Sequence, residues 1–463
     1  MIIMLQQFVN RKRELEFLER KNDEPGPQLI VLYGRRRIGK TELIKEFLKD
    51  RKGTYIYCTR EPFQENLKIF ASEFQDLTGK RYFENIKSLN GLFETLVDVV
   101  GNERTVIAID EFPYLISSEP SVPSQFQKIF DEVLKNSNIY LILCGSSMEM
   151  MEREVLNYRS PLYGRKTGEW KLEPFTIRDI VDSTGFSIND IFLTWARFGG
   201  TPAYFTRAVE DLDAASRRVL TKGEPLYNEP LSLLREELNE PRVYTQLLRH
   251  IASGVVKHGK LQQMTGLDRS NISRYLSILM SLGYVERVIP AGRKRGGLHR
   301  IKDPFVNFWF RYVHPNLSHL EIGQIEPVLQ KINEDMQSYH GIMFERFVEA
   351  MIREGTIDLD VSSVSGWWHK EREIDLIGVG IEHAVFLEIK WSTLGKLDVK
   401  RIFDSLREKI GHTGVSRERM YLGIVCRDAV KPELGADEFV LTMDDLGEAA
   451  REPFRLDKIN TVE

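Results

Sequence analysis

The sequence predicts an α/β protein of several domains: a doubly wound three-layer core, a basic helix-turn-helix segment and a second α/β domain. Three observations predict it. The apolar run Leu29-Ile30-Val31-Leu32-Tyr33 leads into Gly34-Arg35-Arg36-Arg37-Ile38-Gly39-Lys40-Thr41, and a helical pattern follows over 42–48. Apolar runs then alternate with helical stretches as far as Cys144, as in a parallel sheet covered on both faces. The last third carries two more strand-like runs, over 371–378 and 384–391. At 463 residues the chain also exceeds one ordinary core.

The loop after the first strand fits the phosphate-binding pattern in full. Gly34 and Gly39 let the backbone curl so that successive N–H groups face phosphate oxygens. Lys40 can reach the β- and γ-phosphates, Thr41 can ligate Mg2+, and the helix start behind them favours negative charge. Arg35, Arg36, Arg37, Ile38 and Glu42 complete the stretch expected around a nucleoside triphosphate. A strand over 54–58 and helices over 61–77 and 84–100 come next. Thr105-Val106-Ile107-Ala108-Ile109 reads as a buried strand ending in Asp110-Glu111. Ligands of such sheets sit at the carboxyl ends of strands. Asp110 is therefore placed to hold the Mg2+ shell and Glu111 to polarise an attacking water. A helix over 124–135 precedes a strand over 139–144. Beyond it, Ser146 and Ser147 either contact the γ-phosphate or the water, or form a plain turn.

Phe8-Val9-Asn10-Arg11 with Glu14 and Leu15, followed by YGRRRIGKT, AIDEF, LCGSS and SPLYGR, together resemble the archaeal-type ATPase family. That family is a branch of the AAA+-related and STAND P-loop ATPases, and the resemblance covers roughly the first half of the chain. It implies ATP as the nucleotide and its hydrolysis. It also implies that Phe8, Val9, Asn10 and Arg11 border the adenine. Arg165 would be a phosphate-sensing or finger-type arginine, acting in cis or on a neighbouring copy in a homo-oligomer. Phe198-Gly199-Gly200-Thr201-Pro202 would open a helical lid.

Charge is unevenly spread. The chain carries a net −4, yet residues 241–303 hold twelve Lys/Arg against three Asp/Glu, which suggests a polyanion-binding module. A short helix over 260–264, the turn Thr265-Gly266-Leu267-Asp268 and a helix over 269–281 read as a winged helix-turn-helix. Ile272, Leu276 and Leu279 share one face of the second helix. Ser270, Asn271, Ser273, Arg274 and Ser277 lie on other faces, where short polar side chains suit phosphates and base edges. Arg269, Asn271 and Arg274 are the expected DNA contacts of this helix. A wing strand over 283–288 leads to a tip at Arg293-Lys294-Arg295, and basic residues there can follow a phosphate backbone. DNA is the expected partner; an interaction or autoinhibition role for this segment is the alternative.

Asp303-Pro304-Phe305-Val306-Asn307-Phe308-Trp309-Phe310 reads as a core helix. It resembles the junction at which archaeal-type ATPases meet a C-terminal domain of unknown function, one likened to restriction endonucleases. Period two puts Glu388 and Lys390 on one strand face, with Asp375 on the partner strand opposite. Two such carboxylates can bind Mg2+, and a lysine beside them can activate water or stabilise charge. Glu345, on a helix over 341–354, could add a third acid, with Glu349 an alternative. The set resembles the PD-(D/E)xK nuclease site, although Ile374 stands where the motif has proline. Trp367 and Trp368 read as core or edge residues.

The expected organisation is a P-loop ATPase core over 1–175, a helical lid over 176–240 and a winged helix-turn-helix over 241–303. A helical linker over 304–335 and a restriction-endonuclease-like α/β domain over 336–463 complete it. No apolar run approaches the roughly 18 residues a membrane span needs, and the start lacks a signal-peptide layout. Cys58, Cys144 and Cys426 fit neither a disulfide framework nor a zinc site, so a reducing cytoplasmic setting is expected. The functional expectation is an ATP-hydrolysing, DNA-binding protein with a Mg2+-dependent nuclease domain gated by nucleotide. The alternative is a STAND-like regulatory switch whose nuclease-like domain is silent, or a transcriptional regulator whose C-terminal domain only binds.

Overall fold

The computed structural model describes residues 10–456 except Asn239 and Lys294. Phe8 and Val9, expected beside the adenine, and Lys294 of the wing tip lie outside the described residues. The chain divides into two compact units, Met1–Pro174 and Phe175–Glu463.

The first unit is built on strands β1 (Gln28–Tyr33), β2 (Gly53–Tyr57), β3 (Thr105–Asp110), β4 (Ile139–Gly145) and β5 (Gly168–Lys171). They form one parallel sheet in the order β2-β3-β4-β1-β5. Strand alternation divides the core into two layers. Leu29, Val31, Ile107, Ile109, Leu141 and Leu143 face helices Phe63–Thr78 and Leu89–Val100. Ile30, Leu32, Val106, Ala108, Ile142 and Cys144 face helices Lys12–Asp23 and Lys40–Leu48. Both faces are covered, so the central strands read as unbroken apolar runs.

Two boundaries in this unit differ from the sequence reading. The helix expected from 84 begins at Leu89, because the Ser88 hydroxyl accepts the Gly91 amide and caps it there. The helix expected over 124–135 is Val122–Lys128 running into a π-turn, Ile129–Val133. The edge strand β5 had no counterpart in the reading.

The second unit opens with five helices between Ile177 and Glu237. Helices Pro241–Ala252, His258–Thr265 and Arg269–Ser281 follow. Next comes an antiparallel hairpin of β6 (Val285–Val288) and β7 (Leu298–Ile301). Phe305, Phe308, Trp309 and Phe310 are buried, and the Trp309 indole N–H donates to the Tyr227 carbonyl at 2.8 Å. One long helix, Ile325–Arg353, spans both the expected linker and the helix read over 341–354. It packs against a mixed sheet.

That sheet contains β9 (Ser363–His369), β10 (Arg372–Val379), β11 (His383–Leu394), β12 (Arg419–Ala429) and β13 (Glu438–Leu441). Two short strands, β8 (Ile357–Asp358) and β14 (Phe454–Arg455), pair beside it. The order is β13-β12-β11-β10-β9, antiparallel from β9 to β11 and parallel from β11 to β13. Among the described residues, no helix is long and apolar enough to cross a membrane. Cys58, Cys144 and Cys426 are free and buried.

Candidate functional site

The phosphate-binding loop connects β1 to the helix Lys40–Leu48. Gly39 adopts a left-handed conformation at the cap of that helix, and so does Arg37 before it. The Lys40 ammonium bonds the carbonyl oxygens of Gly34 (2.8 Å) and Arg35 (2.9 Å). Burial lowers its pKa, since a charge away from water favours deprotonation. Arg11 is buried beside the loop and bonds the Ile38 carbonyl at 2.9 Å and Glu14 at 2.9 Å. It therefore braces the phosphate loop through the Ile38 carbonyl, while Asn10, its neighbour, also has positive φ. The Arg36 guanidinium donates to the Tyr114 hydroxyl at 2.7 Å, and the exposed Glu42 lies 3.7 Å from Lys45.

Asp110, at the end of β3, is buried beside Thr41. The Thr41 hydroxyl donates to Asp110 Oδ2 at 2.7 Å, the Tyr55 hydroxyl donates to the same oxygen at 2.6 Å, and the Glu111 amide donates to Oδ1 at 2.9 Å. Burial by itself raises this carboxyl, but the hydrogen bonds from Tyr55, Thr41, Cys144 and the Glu111 amide together outweigh it and hold it below the usual range. Hydroxyl and carboxylate oxygens this close are the hard donors Mg2+ takes, so Thr41 and Asp110 fit that ion. Glu111 sits in a left-handed conformation at the cap of helix Phe112–Ser118. Its two oxygens accept the Ser146 hydroxyl at 2.7 and 2.8 Å. Ser146 is thus a tether for Glu111 in this structure.

Arg165 is turned to Asp131, with Nη2–Oδ2 at 2.9 Å, and to the Pro161 carbonyl. Its charge is taken there by a carboxylate of its own unit. A phosphate-directed role requires that ion pair to open.

The C-terminal set comes together across β10 and β11. Leu376 pairs with Leu387, which places Asp375 opposite Glu388. The Lys390 ammonium lies 3.0 Å from Asp375 and 2.8 Å from Glu388, and the Ile389 amide donates to Asp375 at 2.6 Å. Lys409, on helix Lys396–Ile410, holds the other Glu388 oxygen at 2.6 Å. Burial, then the neighbouring Glu388, raises the Asp375 carboxyl. Burial works to lower the Lys390 ammonium, but Asp375 and Glu388 outweigh it and raise it.

Glu345 and its alternative Glu349 have different surroundings. Glu349 is buried between Arg300 (2.7 Å) and Arg353 (2.8 Å). Glu345 is pushed up to about 8, first by burial and then by Asp375. Among the described residues, no three His, Cys, Asp or Glu side chains are close enough to hold one metal ion. Glu345 therefore does not complete a three-acid set with Asp375 and Glu388 here, and two lysines neutralise Glu388 instead.

On the helix Arg269–Ser281, Arg269 and Arg274 are exposed. Arg274 lies over the Tyr275 ring at 4.8 Å. The Asn271 amide is turned back to Asp268 at 2.6 Å, where Asp268 caps the helix. In the hairpin connection, Arg295 is exposed and Arg293 is bonded to the His369 ring at 2.9 Å. Sequence reasoning missed Lys409, Tyr55 and Asp131. Each reaches its partner across 21 or more positions, and a local pattern carries no signal for that.

A parallel sheet with helices on both faces, a phosphate loop after β1 and an acid pair ending β3 define a P-loop ATPase. Comparison with known proteins agrees. Residues 8–207 match the model of an ATPase domain predominantly from Archaea, and residues 309–402 match a family of archaeal and bacterial proteins of unknown function. An uncharacterized protein of Methanocaldococcus jannaschii is 32% identical over 445 residues, 92% of this chain and 97% of that one. An uncharacterized ATP-binding protein of the same organism is 69% identical over 45 residues, 10% of this chain and 76% of that one. A Walker-type ATPase of Pyrococcus abyssi superposes with a TM-score of 0.51 at 22% identity, over 66% of this chain and 96% of that one. The chain belongs to this family of archaeal-type P-loop ATPases, with the C-terminal domain of unknown function attached.

Proposed function

We propose that the protein binds and hydrolyses ATP with Mg2+ and uses the nucleotide state to control a DNA-bound C-terminal module. The observation that carries this reading is the convergence of Lys40, Thr41, Asp110 and Glu111 at the carboxyl ends of β1 and β3. Mg2+, held at Thr41 and Asp110, would neutralise phosphate charge. Lys40 exchanges its two loop carbonyls for phosphate oxygens. Glu111, steadied by the Ser146 hydroxyl, orients the attacking water.

In this reading residues 176–240 are the lid and 241–303 a winged helix. Arg269, Asn271, Arg274, Arg293, Lys294 and Arg295 contribute the DNA face. The domain from 336 onward is restriction-endonuclease-like. Asp375 and Glu388 would hold Mg2+ there, with Glu345 nearby and Lys390 beside the scissile phosphate. Homo-oligomers in which Arg165 reaches a neighbouring copy belong to the same proposal.

A second reading, a regulatory switch with a silent effector, is favoured by one observation: Lys390 and Lys409 occupy both Glu388 oxygens. The deciding experiment is cleavage of duplex, single-stranded and branched DNA with Mg2+ or Mn2+, with and without ATP, beside Glu388→Ala. Cutting that requires Glu388 supports the ATP-gated nuclease. Binding without cutting under every condition supports the switch.

A further inference from the structure

Three donors converge on the buried Asp110 carboxylate. Thr41 and Tyr55 both donate to Oδ2, at 2.7 and 2.6 Å, while the Glu111 amide holds Oδ1 at 2.9 Å. Thr41 belongs to the loop motif and Glu111 is the next residue along the chain. Tyr55 has neither reason to be there. It lies on β2, the edge strand, in register with Ala108 two residues before Asp110. Strand alternation gives Tyr55, Ala108 and Asp110 one face, the face that packs on helix Lys40–Leu48. The Tyr55 ring joins the apolar cluster on that side, and its hydroxyl ends at the carboxylate. A phenylalanine would fill the same space, so packing accounts for the ring but not for the oxygen.

We infer, on the reading of the loop as a nucleotide site, that Tyr55 is a positioning residue that fixes the Asp110 carboxylate toward Thr41 and a cation bound there. A carboxylate has about four acceptor positions. Two hydroxyls on one oxygen and an amide on the other occupy three of them. Hydrogen bonds to an ionised acceptor are roughly twice as strong as neutral ones, so rotation away from Thr41 is opposed by all three. Without the phenol one of these three restraints is lost, and the part of the ordering that then falls to the arriving cation appears as weaker coupling between Mg2+ and ATP.

Tyr55→Phe tests this in the full chain by equilibrium binding of a fluorescent ATP analogue, mant-ATP, first in EDTA and then in Mg2+. Affinity in EDTA should match wild type, while the melting temperature falls by the few degrees that a lost hydrogen bond costs. The gain in affinity on adding Mg2+ should shrink by about tenfold, as for a lost hydrogen bond to a charged group. The Mg2+ concentration for half-maximal ATP hydrolysis should rise in step. An undiminished Mg2+ gain overturns the inference, and so does an equal loss with and without Mg2+, which is what a packing role produces. Asp110→Asn separates the two levels of reading. If it abolishes the Mg2+ gain while Tyr55→Phe leaves it intact, the role of Tyr55 alone falls. If Asp110→Asn also keeps the full gain, the cation site at Thr41 falls with it.

Discussion

Gly34 has a reason to be glycine beyond the curl of its loop. A Cβ there would stand 2.5 Å from the Leu172 carbonyl oxygen, a backbone atom that cannot swing aside, because the Leu172 amide is itself bonded to Tyr33 at 2.7 Å. Gly34→Ala should therefore displace the loop from the edge of β5, lowering the melting temperature by several degrees and ATP affinity by at least about tenfold. A thermal melt beside an ATP titration checks both, and an unchanged melt would mean the contact relaxes freely. Ser146 offers a test at the other end of the site. Its hydroxyl spans both Glu111 oxygens, and Glu111 is also held in a left-handed backbone conformation. Ser146→Ala should lower kcat roughly tenfold with little change in KM, the pattern of an interaction felt mainly in the transition state. A raised KM at constant kcat would instead mean that Ser146 supports binding equally in the ground and transition states.

The helix Arg269–Ser281 shows how an element can be read from its ends and its stripe. Asp268 caps its start by accepting the Asn271 amide, and the buried residues Ile272, Leu276 and Leu279 fall where the helical period puts them. What the period does not specify is occupancy of the polar face: Asn271 is spent on Asp268, and Arg293 of the hairpin connection on His369. If this face holds DNA, Arg269→Ala with Arg274→Ala should reduce the slope of log affinity against log salt by about 1.8, two phosphates' worth. An unchanged slope places the DNA face elsewhere.

The long helix Ile325–Arg353 carries a second element-scale consequence. His340 lies buried against Phe192 and Trp391, and burial, then Arg197, pushes its imidazole down to about 4. The folded form therefore prefers the neutral ring. Its contribution is fully present above the ordinary histidine range and is lost as pH falls through that range toward 4. Urea unfolding at pH 7 and pH 5 should show a loss of roughly 1 kcal/mol after allowance for solvent screening, absent in His340→Gln. An equal loss in the variant would assign the slope to another group.

At the scale of the whole molecule, the chain forms two compact units, and the phosphate loop with its acids belongs entirely to the first. Calorimetry of the full chain should resolve two transitions, with ATP at a hundredfold excess over Kd stabilising the loop-bearing unit by about 2.7 kcal/mol. Lys40→Ala should remove that shift. A nucleotide shift that survives Lys40→Ala would locate the binding energy outside the loop.

The sequence alone determined the phosphate loop, the Asp110-Glu111 strand end, the helix over 269–281 and the Asp375, Glu388 and Lys390 grouping. Each is a short segment whose apolar period and residue spacing are imposed by local backbone geometry. Tertiary structure decided who meets whom across the chain. It put Tyr55 on Asp110, Lys409 on Glu388, Asp131 on Arg165 and Arg300 on Glu349. It also set the order β2-β3-β4-β1-β5, in which Asp110 at the end of β3 meets Thr41 of the helix after β1 although β4 lies between those two strands. These pairings depend on how sheets and helices stack, and stacking is settled by the burial of whole faces rather than by any local run of residues.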